Sequence, residues 1–230
     1  MLVGLGPLGG GGSGSLGHIT FSHNRYGSYA RARTKPVNPA SSPQGIVRAI
    51  MSDAANAWAS LSAGDKAGWG AYAAAIPWKN RLGATVHLTG PAMFRSCYVA
   101  RVRAEMPAVT TPPATLLLPG QDSTFGVAAT ASNQHLSISF STALSWVTQA
   151  GSVLAYSVGI PQALTTNFYK GPWLYLGRTI GNSGTPPTSP VTVTSNRVFQ
   201  AGQKLWIRGR ICLADGRVSS PFDTFCVTAA

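Results

Sequence analysis

The stretch PAVTTPPATLLLPGQDST, residues 107–124, divides two kinds of sequence. Its four prolines fix φ and remove backbone donors, so neither helix nor a central strand can run through it. Such composition predicts a stiff, extended linker. On its C-terminal side short β-rich runs recur: FGVAATA from 125, HLSISFS from 135, VLAYSVGI from 153, WLYLGRT from 173, VTVTSNRVF from 191, KLWIRGRICLA from 204 and FDTFCVT from 222. Turn signals separate them, among them Asn133-Gln134, Gly151-Ser152, Ala201-Gly202 and Asp215-Gly216. Seven short strands at this spacing predict an immunoglobulin-like or fibronectin type III-like sandwich over 125–230. Period-two alternation puts Leu136, Ile138 and Phe140 in its core, with Leu205, Ile207 and Ile211. Trp146 and Trp206 are the expected aromatic anchors.

On the N-terminal side the period lengthens. Ile46, Ile50, Ala54, Ala57, Trp58 and Leu61 recur at helical spacing behind Ser42 and Pro43, an N-cap and first-turn pair. Ser62 and Asp65 have the spacing of a capping box and open a second helix carrying Trp69, Tyr72 and Ile76, which Pro77 ends. Thr89, Gly90 and Pro91 open a third, with Phe94, Cys97, Tyr98, Arg101 and Val102 at intervals of three and four. Between them WKNRLGATVHL reads as loop or short strand. Residues 43–106 are therefore a small helical module. It is rich in Ala and Gly and close to the size limit for independent stability, so it is expected to be completed by the arm or by another subunit.

Residues 1–42 form a glycine-rich, basic arm. HITFSH and SYARAR flank Asn24–Gly27 and predict a hairpin over 18–34, after which Pro36 and Pro39 hold the backbone extended. The rest of the arm cannot bury a core and is expected to take its shape against companion molecules. The fold class is thus α+β: an extended arm with hairpin (1–42), a helical module (43–106), a proline-rich linker (107–124) and a β-sandwich (125–230).

Charged residues are only 10% of the chain, far below the usual quarter, so Ser, Thr, Asn, Gln, Gly and Ala must cover the surface. That suits a protein whose surface is largely buried against other subunits. Eighteen basic and six acidic residues give +12, which favours anionic partners. The basic residues form no compact run, and nucleic acid ranks below protein partners on this pattern. Tyr29, Arg31 and Arg33, with Arg25, Lys35 and Arg48, are the candidate assembly contacts. A row of Tyr169, Trp173 and Tyr175 is a candidate sugar-stacking platform.

Catalytic chemistry has no constellation. His18, His23, His87 and His135 lack metal-ligand spacing, no G-x-S-x-G elbow is present, and no two acidic residues lie close in sequence. The glycine run at 9–12 is not followed by Lys-Ser/Thr and is no phosphate loop. No enzyme activity, cofactor or metal is expected. Cys97, Cys212 and Cys226 are read as reduced, buried thiols, although Cys212 and Cys226 fall on neighbouring strands and can meet. No segment is long and apolar enough to span a bilayer, and no secretory signal or membrane partner is expected.

The arm and helical module carry further patterns: F-S-x-N-R-x-G-x-Y-x-R-x-R from Phe21 to Arg33, P-x-N-P-x-S-x-x-Q-x-x-x-R from Pro36 to Arg48, W-x-x-L-S-x-x-x-K-x-x-W-x-x-Y from Trp58 to Tyr72, and N-x-L-G-x-x-x-x-L-T-G-x-x-x-F from Asn80 to Phe94. Over about residues 17–100 this resembles proteins encoded in tailed-bacteriophage and prophage genomes. The resemblance implies a virion structural protein, assembled in the host cytoplasm as a homo-oligomer in capsid, neck or tail, with the arm as its anchor. It transfers no functional residue. A carbohydrate-binding adhesion module and a basic DNA-binding protein are the alternatives.

Overall fold

The computed structural model describes residues 14–24, 27–34, 37–38, 40–79 and 84–230. The chain divides between Gly45 and Ile46 into two compact units. The first contains an antiparallel three-stranded sheet, β1 (Gly14–Leu16), β2 (Ile19–Asn24) and β3 (Gly27–Ala32), in the order β1-β2-β3. The hairpin β2–β3 is where the sequence places it, with Asn24 opposite Gly27. β1 comes from the glycine-rich arm, where no strand was expected. It adds to the hairpin through the register Gly14↔Phe21, Ser15↔Thr20 and Leu16↔Ile19.

The second unit holds α1 (Ser42–Ser60, from Ile46 onward), α2 (Ala63–Ala75), α3 (Gly90–Arg103), the short α4 (Ser145–Thr148) and strands β4 to β12. β4 (Pro77–Lys79) and β5 (Thr85–His87) make a small ribbon between α2 and α3. The seven β-rich runs all become strands: β6 (Gly126–Thr130), β7 (His135–Ser139), β8 (Val153–Val158), β9 (Leu174–Ile180), β10 (Val191–Thr194), β11 (Lys204–Cys212) and β12 (Phe222–Val227). They form two antiparallel sheets, β10-β7-β6 and β12-β11-β8-β9. The architecture is α+β.

The four-stranded sheet is packed on one face and partly covered on the other. Alternation along β11 turns Leu205, Ile207 and Ile211 to one side, where they meet Leu136, Ile138, Phe140, Leu154 and Trp146 in the core between the two sheets. The other face carries Cys212 and Val153, which join Trp69, Tyr72, Phe94 and Cys97 in a second core. Helices and strands therefore share an interior. The helical module, expected to need the arm or another subunit, is completed by Val153, Cys212 and Val218 of its own chain. Its aromatics pack edge to face, with Trp69 and Phe94 centroids 5.3 Å apart.

Two expected core residues lie elsewhere. Trp206 alternates with Leu205 and Ile207 and so emerges on the opposite face of β11, half-buried against Phe225 with ring centroids 4.8 Å apart. Ile46 is 60% exposed, because the contacts that cover the α1 stripe, such as Trp58 on Phe94, lie in the helix's second half.

Residues 107–124 do not separate the helices from the strands. They run as a strap over the unit. Trp69 Nε1 donates to the Thr110 carbonyl at 2.8 Å, Arg217 Nη1 to Leu117 at 3.1 Å, and Gln121 Nε2 to Pro221 at 3.0 Å. Gly68 on α2 lets the strap approach, since a Cβ there would stand 2.6 Å from Pro112 Cγ. At the far end Asp122 accepts from Thr124 N and Oγ1 and from Ser141 N, fastening the strap to the turn after β7.

Arg101 makes the central connection. It sits in the last turn of α3, is 3% exposed, and pairs with no carboxylate among the described residues. Its guanidinium donates to the carbonyls of Pro107 (3.0 Å), Gly151 (3.3 Å) and Leu213. Burial pulls it below its usual value. Replacing Arg101 by Met would remove a donor from each of these carbonyls, of which that of Leu213 alone keeps another, Gly216 N. We expect the variant to lose roughly 3 kcal/mol in urea unfolding, read from the midpoint at unchanged slope. The α2 cap offers a smaller test. Ser62 Oγ accepts from Asp65 N at 3.1 Å and donates to Asp65 Oδ2 at 2.6 Å. Ser62→Ala should cost about 1 kcal/mol in the same assay.

Candidate functional site

The N-terminal sheet is two-faced. Register places Ser15, Thr20, Ser22, Tyr29 and Arg31 on one side, with Ser15 Oγ and Thr20 Oγ1 2.9 Å apart. Leu16, Ile19, Phe21, Ala30 and Ala32 share the other. Leu16 is 77% and Ile19 47% exposed, and no described residue of this unit is buried. Of the candidate assembly contacts, Tyr29 is half-buried and Arg31 exposed on the polar face. Arg33, also exposed, closes the ladder by donating its backbone N–H to His18 at 2.7 Å. Arg48 is exposed on α1. Arg25 and Lys35 lie outside the described residues.

The aromatic trio is brought together, but as packing. Tyr169 is buried, its hydroxyl donates to Pro172 O at 2.6 Å and accepts from Ile160 N at 2.8 Å, and its ring meets Trp173 edge-on at 4.9 Å. The Arg208 guanidinium lies 4.4 Å over the Trp173 ring. The Tyr175 hydroxyl is buried, which pushes its phenol up to about 12. Tyr169 offers no open ring face, and that of Trp173 is shared with an arginine.

Next to this trio is a cleft of about 200 Å³ that composition and spacing did not reveal. Its walls are the end of α3 (Ala100, Arg103, Ala104) and the outer face of the four-stranded sheet (Ala155, Ser157, Trp173, Tyr175, Arg208, Arg210). Arg208 and Arg210 project from one face of β11 because they are two apart. The one local signal was the R-G-R triplet in KLWIRGRICLA. Arg103 arrives from more than a hundred residues away, which no local pattern reports. Arg208 is fastened by a two-pronged pair to Asp223, at 2.7 and 2.8 Å.

Among the described residues no three His, Cys, Asp or Glu side chains gather as metal ligands, and no helix is long and apolar enough to cross a membrane. The three cysteines are unpaired. Cys226 stands opposite Leu205 and Cys212 opposite Val153, so the two do not meet across the strands. Burial pushes the Cys97 thiol up to about 12 and those of Cys212 and Cys226 up to about 11. At pH 8 all three should be protonated and unreactive. Mass spectrometry should find little iodoacetamide adduct on native protein and three adducts after denaturation.

No family model and no curated protein matches the chain. Among solved structures, it is similar to the adhesin domain of Epf from Streptococcus pyogenes (12% identity, TM-score 0.31, covering 49% of this chain and 32% of that one). It is also similar to a family 76 glycoside hydrolase from a bovine Bacteroides thetaiotaomicron strain (10% identity, TM-score 0.33, 49% and 21%). The matched part spans a third or less of either protein, and likenesses this weak carry no functional argument.

Proposed function

We propose that this protein is a non-enzymatic structural subunit of a tailed-phage virion, held in a homo-oligomeric assembly by its N-terminal sheet. The observation that carries the reading is the apolar face of Leu16, Ile19, Phe21, Ala30 and Ala32, on which Leu16, Ile19 and Ala32 are exposed and Phe21 and Ala30 half-buried. A three-stranded sheet needs a packed layer on its apolar side to be stable in water. A second copy or a neighbouring subunit is the layer that a low-charge assembly protein would supply. Tyr29, Arg31 and Arg33 then serve as polar contacts on the other face.

The two C-terminal sheets fit an immunoglobulin-like sandwich. If β6, β7, β8, β9, β10, β11 and β12 take the letters A, B, C, C′, E, F and G, the sheets are A-B-E and C′-C-F-G. This is a compact module suited to projecting from a particle or making lateral contacts. The resemblance of residues 17–100 to phage-encoded proteins favours the same reading.

Deleting residues 1–35, or substituting Ile19→Asp together with Phe21→Asp, should convert assembled protein to monomer in sedimentation velocity. The unfolding midpoint of the remaining unit should be unchanged. A full-length chain that stays monomeric at every concentration, or a deletion that assembles at normal occupancy, would refute the reading.

A further inference from the structure

The cleft beside α3 continues into a second depression of about 360 Å³, lined by Met51, Ala92, Arg95, Ser96 and Val99. The two share Ala100, Arg103 and Arg210 and so form one trough. Four arginines face it: Arg95, Arg103, Arg208 and Arg210. Asp223, which holds Arg208, is the one carboxylate paired with any of them among the described residues. Arg103 and Arg210 have no ion pair or side-chain hydrogen bond there, and Arg210 is half-buried. Arg95 Nε is committed to the Pro91 carbonyl at 3.2 Å.

Of these four, Arg208 and Arg210 are partly withdrawn from water, while Arg95 and Arg103 are exposed. A guanidinium withdrawn from water beside like charges needs either a counter-charge or an acceptor. Burial lowers the Arg210 guanidinium from its usual value, and Arg208 and Arg103 act in the same direction. At three other arginines the protein meets this need internally. Arg101 has three carbonyls, Arg178 has Ala104 O at 2.7 Å and Glu105 at 3.3 Å, and Arg217 has Asp215 at 2.6 Å. At the trough it does not.

We propose that the trough is a phosphate-binding site, with Arg103 and Arg210 as the ligands of one oxyanion and Arg208, fixed by Asp223, as a positive wall. Two uncommitted guanidiniums converging on a small cleft call for more than one negative charge on a compact group. A phosphate supplies close to two charges and three acceptor oxygens at neutral pH, where a carboxylate supplies one charge. The phosphate can be free or belong to a nucleic-acid backbone, where two adjacent diesters, each with one charge and two free oxygens, would supply the second charge between them. The inference is independent of the N-terminal sheet and of the assembly reading.

Isothermal titration of the full-length chain at low salt tests it, with pyrophosphate, a twelve-residue oligothymidylate and succinate as probes. The expected result is saturable binding of pyrophosphate or oligothymidylate, weakened about tenfold by Arg103→Gln and by Arg210→Gln, with Lys170→Gln, an exposed site that lines neither depression, unchanged. Pyrophosphate binding identifies a free phosphate as sufficient. Binding of the oligonucleotide alone identifies the backbone diester as the source, and its steep weakening by salt should follow. Arg103 is exposed at the end of its helix, so Arg103→Gln decides the case if Arg210→Gln fails to fold. The proposal is overturned if neither phosphate probe binds saturably, if succinate binds as tightly as pyrophosphate, or if Arg103→Gln and Lys170→Gln are indistinguishable.

Discussion

One buried cation ties together parts of the chain that sequence keeps far apart. Arg101 brings the end of α3, the start of the strap, the turn before β8 and the end of β11 to a single guanidinium. Carbonyls at such chain ends have no ladder partner of their own and need a donor when buried. A planar, permanently charged fork with five N–H groups can serve several of them at once, and a lysine ammonium cannot do so in the same geometry. The helical layer can lie on the four-stranded sheet because this junction is satisfied.

The four-stranded sheet is the other organising element. A sheet with one wet face would show polar residues opposite Leu205 and Ile207 all along β11. Instead the second face is graded. Near Cys212 and Val153 it is apolar and covered by helices. Beyond the end of α3 it becomes aromatic and basic, with Trp206, Arg208 and Arg210. The trough lies where cover gives way to water. The same strand thus supplies the core between the two sheets, a helix-packing surface and a charged rim.

Strand content was legible because period-two alternation and turn residues are local properties. Each of the seven β-rich runs became a strand, and the capping box at Ser62 and Asp65 was readable from spacing alone. Long-range facts were not. Proline content implied an extended backbone over 107–124, yet extension says nothing about whether a segment floats or lies against a neighbour, and Trp69 and Arg217 decided that. Arg101 kept helical spacing with Phe94 and Cys97 and read as an ordinary amphipathic position, because its acceptors come from residues 107, 151 and 213. The strand β1 was hidden by glycine, whose weak propensity the register with β2 overrode. Trp206 was misplaced although its neighbours were right: size suggested an anchor where parity already gave the answer. The arginine trough escaped notice for the reason that hid Arg101, since its members meet only in space.

The shared interior also orders the events of synthesis. Trp69, Tyr72 and Phe94 leave the ribosome well before the residues that finish their enclosure, Val153, Cys212 and Val218, the last of which follows Phe94 by 124 positions. Until then the nascent helices carry unshielded aromatic surface, the kind of surface that draws chaperones or neighbouring nascent chains. Where many copies are made side by side, completing each polypeptide quickly becomes part of keeping the population soluble.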